Sequence, residues 1–229
     1  MTGEIRYGPG GFWVILAACG EKPPTGVETM KIFPVEFESR KEILFFPGKP
    51  ERFVGDILEV GPGRGDFLLS AAEQCPDKIV VGIELGRIRY YKLIPRIERR
   101  RLSNVLLLQG NARIALPRFF PGGTFEKIYV LFPDPWPKNR HIPLRLMSVE
   151  FIALLADMLR PNGELLTATD FWPYASWVVD NAGAVGALRN MGSPFFVPSK
   201  EIPYYNPTFY EQKWRGQGRA IYYMRFRKA

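Results

Sequence analysis

The residues best suited to chemistry fall in two short segments. The first, Glu59-Val60-Gly61-Pro62-Gly63-Arg64-Gly65-Asp66, sets three glycines at alternate positions between acids. The second, Phe132-Pro133-Asp134-Pro135-Trp136-Pro137-Lys138, surrounds one acid with three prolines and places a tryptophan two residues on. Glycines permit torsions and a close backbone approach that a Cβ would block, so the first segment reads as a nucleotide-type loop. Plain strand-to-helix turns use glycines too, and the neighbouring residues have to decide. Prolines fix the backbone, so the second segment holds Asp134 and Trp136 in place, as catalysis by positioning requires.

The two acids that bound the first segment and two polar residues beyond it sharpen the reading. Asp66 stands where a dinucleotide fold wants its third glycine, and an acid at that helix N-terminus repels a pyrophosphate. The lysine and hydroxyl residue of an ATP- or GTP-binding loop are missing as well. Glu59, at the end of an apolar run, suits the amino group and sulfonium of S-adenosylmethionine better than it suits phosphates. Nineteen positions after Gly65, Glu84 can accept hydrogen bonds from ribose hydroxyls, or act as a helix-capping acid. Asn111 can meet an adenine edge with its amide, or simply occupy a turn.

These residues need elements to carry them. From about residue 54, short apolar runs alternate with helical patterns, the sequence form of stacked βαβ units. Strands are expected at Asp56–Val60, Lys78–Glu84, Val105–Gln109, Lys127–Phe132 and Glu164–Asp170. Helices are expected at Phe67–Gln74, Leu85–Arg101, Leu144–Leu159 and Tyr174–Met191. Leu146, Val149, Ile152, Leu155 and Leu159 recur at helical spacing and read as core. Later, Phe195-Phe196-Val197 and Ala220–Phe226 read as an antiparallel hairpin added to the sheet edge, with a Pro- and aromatic-rich loop between them.

At 229 residues with 46% hydrophobic side chains, the chain suits one α/β domain. Its net charge of +8 favours an anionic partner, although a merely soluble basic protein would look similar. Arg87, Arg89, Lys92, Arg96, Arg99, Arg100 and Arg101 crowd the second helix, where a solvated face is the plainer reading. Lys138, Arg140, Arg145, Lys213, Arg215 and Arg219 are scattered elsewhere. With Cys19, Cys75 and His141 as the whole cysteine and histidine complement, neither a disulfide framework nor a metal site is expected. Phe12–Ala18 before Cys19-Gly20 superficially resembles a short signal segment, but its basic region is weak. Residues 1–29 are read instead as a poorly constrained extension ahead of Met30, with residues 30–229 forming the domain. No run reaches the ~20 apolar residues of a membrane span.

The second segment, followed by Asn139-Arg140-His141, resembles the signature of the tRNA (guanine-N7)-methyltransferase family, of the bacterial single-subunit type. The likeness covers roughly residues 54–227 and includes a distant Thr-x-x-Glu motif at Thr208-Phe209-Tyr210-Glu211. Two departures are visible: Ile142-Pro143-Leu144 is apolar where relatives are denser in basic residues, and Asn111 stands where some relatives have Asp. The resemblance implies a Rossmann-like class I methyltransferase fold, an α/β arrangement with a mostly parallel sheet, helices on both faces and a C-terminal antiparallel hairpin. It implies transfer of a methyl group from S-adenosyl-L-methionine to N7 of a tRNA guanine, position 46 of the variable loop, leaving S-adenosyl-L-homocysteine. Glu59, Gly61, Gly63, Gly65, Glu84, Asn111 and Asp134 would hold the cofactor, with Asp134 catalytic. Lys138, Asp170, Thr208 and Glu211 would contact tRNA, which makes the neighbouring Lys213 and Arg215 the better phosphate candidates. A cytoplasmic monomer or homodimer without metal or membrane partner is implied.

That chemistry suits the residues. Guanine N7 carries a lone pair and no proton, so attack on a methyl group needs in-line positioning rather than a general base. Asp134 can hold the guanine N1 and N2 donors and offset the charge that develops on the ring. Two other readings stand beside it: a methyltransferase acting on an exocyclic amine, and a non-catalytic tRNA-binding or cofactor-sensing module.

Overall fold

Apolar runs without polar alternation make strands buried on both faces, as in parallel sheets. β1 (Ile57–Val60), β2 (Val80–Glu84) and β3 (Val105–Gln109) are buried at every position. β4 (Phe125–Leu131) and β5 (Leu159–Thr169) complete the parallel part. The structure is a computed structural model and describes residues 52–192 and 196–229, with four strand segments of two or three residues upstream. Most of the Phe12–Ala18 run, together with Met30 and Phe195, lies outside the described residues.

With β6 (Leu188–Asn190) and β7 (Tyr222–Lys228), the strand order is β6-β7-β5-β4-β1-β2-β3, and the upstream pair Ile15–Leu16 lies along β3. The chain steps outward from β1 through β2 to β3, then returns to β4 on the other side of β1. Where the order reverses, the connections at the carboxyl ends part and open a crevice. Glu59 at the end of β1 and the segment after β4 therefore meet there.

Strand side chains alternate in direction, so one run serves two cores. Ile57, Val80, Val105 and Leu107 pack against α1 (Asp66–Gln74) and α2 (Arg87–Arg99). Leu58, Val81, Leu106 and Ile128 pack against α3 (Ala112–Phe119), α4 (Val149–Met158) and α5 (Trp172–Gly183). Phe67, Leu68 and Leu69 of α1 are fully buried, each a stabilisation of roughly 1.5–3 kcal/mol.

The expected strands and the first two helices are present within a few residues. Leu144–Leu159 is not one helix: Asn139–Leu144 is a 3-10 segment around Pro143, and α4 begins after Ser148, whose hydroxyl accepts from the Phe151 amide at 3.4 Å. Ile152 and Leu155 are buried on α4 and Leu159 is buried as the first residue of β5, while Val149, at the start of α4, is exposed. The helix expected to run to Met191 ends at Gly183 and gives way to β6. The C-terminal antiparallel pair is present, with β7 between β5 and β6. Val197 contributes a single bridge to Tyr223 rather than a strand, and α6 (Phe209–Gly216) fills the expected loop. α3 is a further addition: Asn111 caps it, accepting from the Arg113 amide at 3.0 Å, and Pro117 within it masks the pattern.

Candidate active site

The glycine loop turns between β1 and α1, with the Gly61 amide donating to Ile83 at 2.9 Å and the Gly65 amide to Pro62 at 2.6 Å. Gly61, Gly63 and Gly65 take φ of +73°, +56° and +77°. Their reasons differ. A Cβ on Gly61 would meet nothing within 4 Å and would project into open space at the crevice, whereas one on Gly65 would come within 2.2 Å of Leu93 Cδ2. Gly61 thus keeps room for a ligand, and Gly65 keeps α1 close to α2.

Glu84 is 3% exposed, and its carboxylate accepts from the Gly63 amide at 2.8 Å and the Gly86 amide at 2.7 Å. It ties the glycine loop to Gly86 ahead of α2, whose first turn receives no side-chain cap, and a carboxylate retains further lone pairs for a ribose. Glu59 is also 3% exposed, and its Oε2 has no hydrogen-bond partner among the described residues. Burial pushes its carboxyl up to about 8; the Leu68 amide opposes this, and Asp66 and Glu84 add to it. A buried acid short of a donor and beside two other acids is built for a cationic group. Asn111 spends its side-chain oxygen on the α3 cap, leaving its amide nitrogen for a ligand.

After β4 the backbone is strained on both sides of Asp134: Phe132 has φ +50° and Trp136 φ +42°. Such torsions cost about 1–3 kcal/mol each in non-glycine residues, and each here precedes a proline, which narrows the choice further. The Phe132 amide donates to Ala168 at 2.8 Å, anchoring the loop to β5. Arg145, one of the scattered cations, is 6% exposed and donates to the carbonyls of Pro135 at 3.0 Å and Trp136 at 3.4 Å. Exposed Asp134 stands on the wall shared by two cavities. One, about 380 Å3, is lined by Glu84, Gly110, Asn111 and Trp136. The other, about 430 Å3, is lined by Glu59, Asp170, Thr208, Tyr210 and Trp214.

The expected substrate residues divide. Thr208 and Asp170 line the second cavity, and Asp170 already accepts from Arg219 at 2.6 Å. Thr208 caps α6, accepting from the Glu211 amide at 3.3 Å. Glu211 is 1% exposed and turned inward, accepting from Tyr205, Tyr223 and, at 2.7 Å, Arg215. Arg215 is accordingly committed to an ion pair, whereas Lys138 and Lys213 are exposed. α6 itself docks on the glycine loop. Its Phe209 amide donates to Asp66 at 3.0 Å, and the Arg64 guanidinium lies 4.1 Å from the Phe209 ring.

The α2 cations also divide. Arg99 and Arg100 bond to Pro95 and Glu73, and Arg96 bonds to the Arg64 carbonyl and pairs with Asp66 at 3.5 Å; Arg89, Lys92 and Arg96 join Arg64 around a third cavity beside Gly63. Arg89 lines all three cavities. Arg89 and Lys92 are themselves exposed. Sequence reasoning missed Tyr210, Trp214 and the inward turn of Arg145; the Thr-x-x-Glu spacing, also that of a helix-capping box, held the one local signal for α6.

A family model described as "Putative methyltransferase" matches residues 55–224. A tRNA (guanine-N(7)-)-methyltransferase from Chlorobium phaeobacteroides is 33% identical over 160 residues, 70% of this chain and 74% of that one. A protein of the same name from Nitrosomonas europaea is 37% identical over 166 residues, 72% of each chain. The crystal structure of the 16S rRNA methyltransferase KamB superposes with a TM-score of 0.55 at 18% identity, covering 78% of this chain and 89% of that one, and so shares the fold. With relatives this similar over most of both chains, carried on a methyltransferase fold whose crevice holds the expected strand-end acids, the chain belongs to the tRNA (guanine-N(7)-)-methyltransferase family.

Proposed function

We propose that this chain transfers a methyl group from S-adenosylmethionine to N7 of a guanine in tRNA, with guanine 46 of the variable loop as the target. The observation that carries this reading is the place of Asp134 on the wall between two cavities of different chemistry. On one side, Glu84 and the Asn111 amide suit a ribose and an adenine edge. On the other, Asp170, Tyr210 and Trp214 offer an acceptor and aromatic faces suited to a purine. Bound between β1 and β4, S-adenosylmethionine supplies an electrophilic methyl group on a sulfonium. Glu59 fits its amino group, since a cation there satisfies the unpartnered Oε2. Asp134 holds the guanine N1 and N2 donors and stabilises the charge that the ring gains as N7 is alkylated. Arg64, Arg89, Lys92 and Arg96 meet the phosphates of the strand that enters the crevice, and Lys138 and Lys213 meet others. No helix among the described residues is long and apolar enough to cross a membrane, and we place the reaction in the cytoplasm, in a monomer or homodimer.

The test is incubation with labelled S-adenosylmethionine and unmodified tRNA, followed by nucleoside analysis and mapping of the modified position. N7-methylguanosine at position 46 is the expected product. Another methylated base, or no product, overturns the reading. Asp134→Ala should lower turnover by roughly 10²-fold or more, and near-normal turnover at saturating substrates would remove Asp134 from its role.

A further inference from the structure

The strained segment that carries Asp134 cannot hold its shape through local sequence alone. Phe132 and Trp136, both in the left-handed region, bracket it, and each is followed by a proline. Prolines restrict torsions without supplying donors, so they cannot satisfy the carbonyls that the turn exposes. A single side chain meets two of those carbonyls. Arg145 directs Nε to Pro135 and Nη2 to Trp136. Its guanidinium sits between α5 and the segment, 5.6 Å from the Tyr174 ring centroid and 5.1 Å from that of Trp177. Tyr174 is fully buried, and Arg145 itself is nearly so. It has no acidic partner among the described residues; its charge is balanced by carbonyl dipoles and ring faces instead. A phosphate-binding arginine needs its guanidinium in solvent, and this one faces inward.

We propose that Arg145 is a positioning residue for methyl transfer: it locks the Pro135–Trp136 turn onto α5 and thereby fixes where Asp134 points into the crevice. The inference rests on the methyltransferase reading above and goes further, because it assigns the reaction's geometry to a residue that touches neither substrate. Guanidinium geometry is what matters. A fork reaches both carbonyls while its plane can lie against the Tyr174 and Trp177 rings, whereas an ammonium of the same charge does neither.

The experiment compares the full-length chain with Arg145→Lys and Arg145→Ala, measuring kcat and KM for tRNA, S-adenosylmethionine affinity by calorimetry, and thermal unfolding. For Arg145→Lys, kcat should fall about 10–100-fold, since displacements near 1 Å at a reacting centre cost rates of that order. KM for tRNA and cofactor affinity should be unchanged. In Arg145→Ala, added guanidinium ion at low, non-denaturing concentration should restore part of kcat, which a general loss of stability would not allow. A raised KM for tRNA with kcat retained makes Arg145 a phosphate contact and overturns the proposal, as does a lysine variant with unchanged kcat. Should these variants fail to fold, Trp177→Phe keeps both carbonyl bonds and trims the ring beneath them. Lower kcat at constant KM then supports the proposal, and unchanged kcat overturns it. Wild-type chain inactive on tRNA would refute the methyltransferase reading itself, a result separate from any of these.

Discussion

Glu59 makes the stability of the ligand-free protein depend on pH in an unusual direction. Its carboxyl is pushed from 4.5 up to about 8, chiefly by burial. A carboxyl whose folded pKa lies above its unfolded one binds more protons folded than unfolded between those two values. Unfolding free energy therefore falls as pH climbs from about 4.5 to about 8, and the loss is complete above that. The shift corresponds to on the order of 4–5 kcal/mol at the alkaline end. Glu59→Gln keeps the shape and cannot ionise, so denaturant unfolding of both proteins from pH 5 to pH 9, without cofactor, isolates the effect of this one carboxyl. The glutamine variant should gain on the wild type steadily up to about pH 8. Cofactor binding should reverse the penalty by placing a cation beside the carboxylate. At pH 7 wild-type Glu59 is mostly protonated, so binding should release roughly 0.9 of a proton, readable by titration calorimetry in two buffers of different ionisation enthalpy. A stability difference flat across that range, with no proton released, would refute the reasoning.

Three further outcomes are expected. Glu211→Ala strands the Tyr205 and Tyr223 hydroxyls and Arg215 and should cost about 2–4 kcal/mol in chemical denaturation, since a buried hydrogen bond to a charged group stabilises more than one between neutral groups. Gly65→Ala, facing Leu93 at 2.2 Å, should destabilise by about 1–3 kcal/mol; Gly61→Ala, facing open space, should lose more in cofactor affinity, measured by calorimetry, than in thermal stability. Arg89→Ala and Lys92→Ala should each lower the slope of log affinity for tRNA against log salt by about 1, in binding titrations across a salt series, and an unchanged slope would remove that cavity from the tRNA path.

What the sequence made legible follows from the range over which each signal acts. Buried parallel strands announce themselves as uninterrupted apolar runs, so β1 to β4 and the residues at their ends can be read directly. Asn111 and Thr208 stand out as ligand residues, yet the helices they cap do not, because Pro117 breaks one pattern and the prolines and aromatics before Thr208 suggest a loop. Glu211 and Arg145 mislead for a different reason. A charged residue reads as exposed unless its partners are in view. The partners that bury them lie on other elements: Tyr223 on β7 for Glu211, Tyr174 and Trp177 on α5 for Arg145.

Asp66 binds two histories into one carboxylate. The acid that sets this loop apart from dinucleotide-binding loops also receives the first backbone amide of α6, contributed by a residue 143 positions away. A mutation that removed this acid to admit a pyrophosphate-bearing cofactor would also release the first amide of α6, leaving Glu211, bonded to Tyr205 and Tyr223, as the buried hold on that helix. A change of cofactor at this loop therefore carries a packing cost at α6, because one carboxylate faces both.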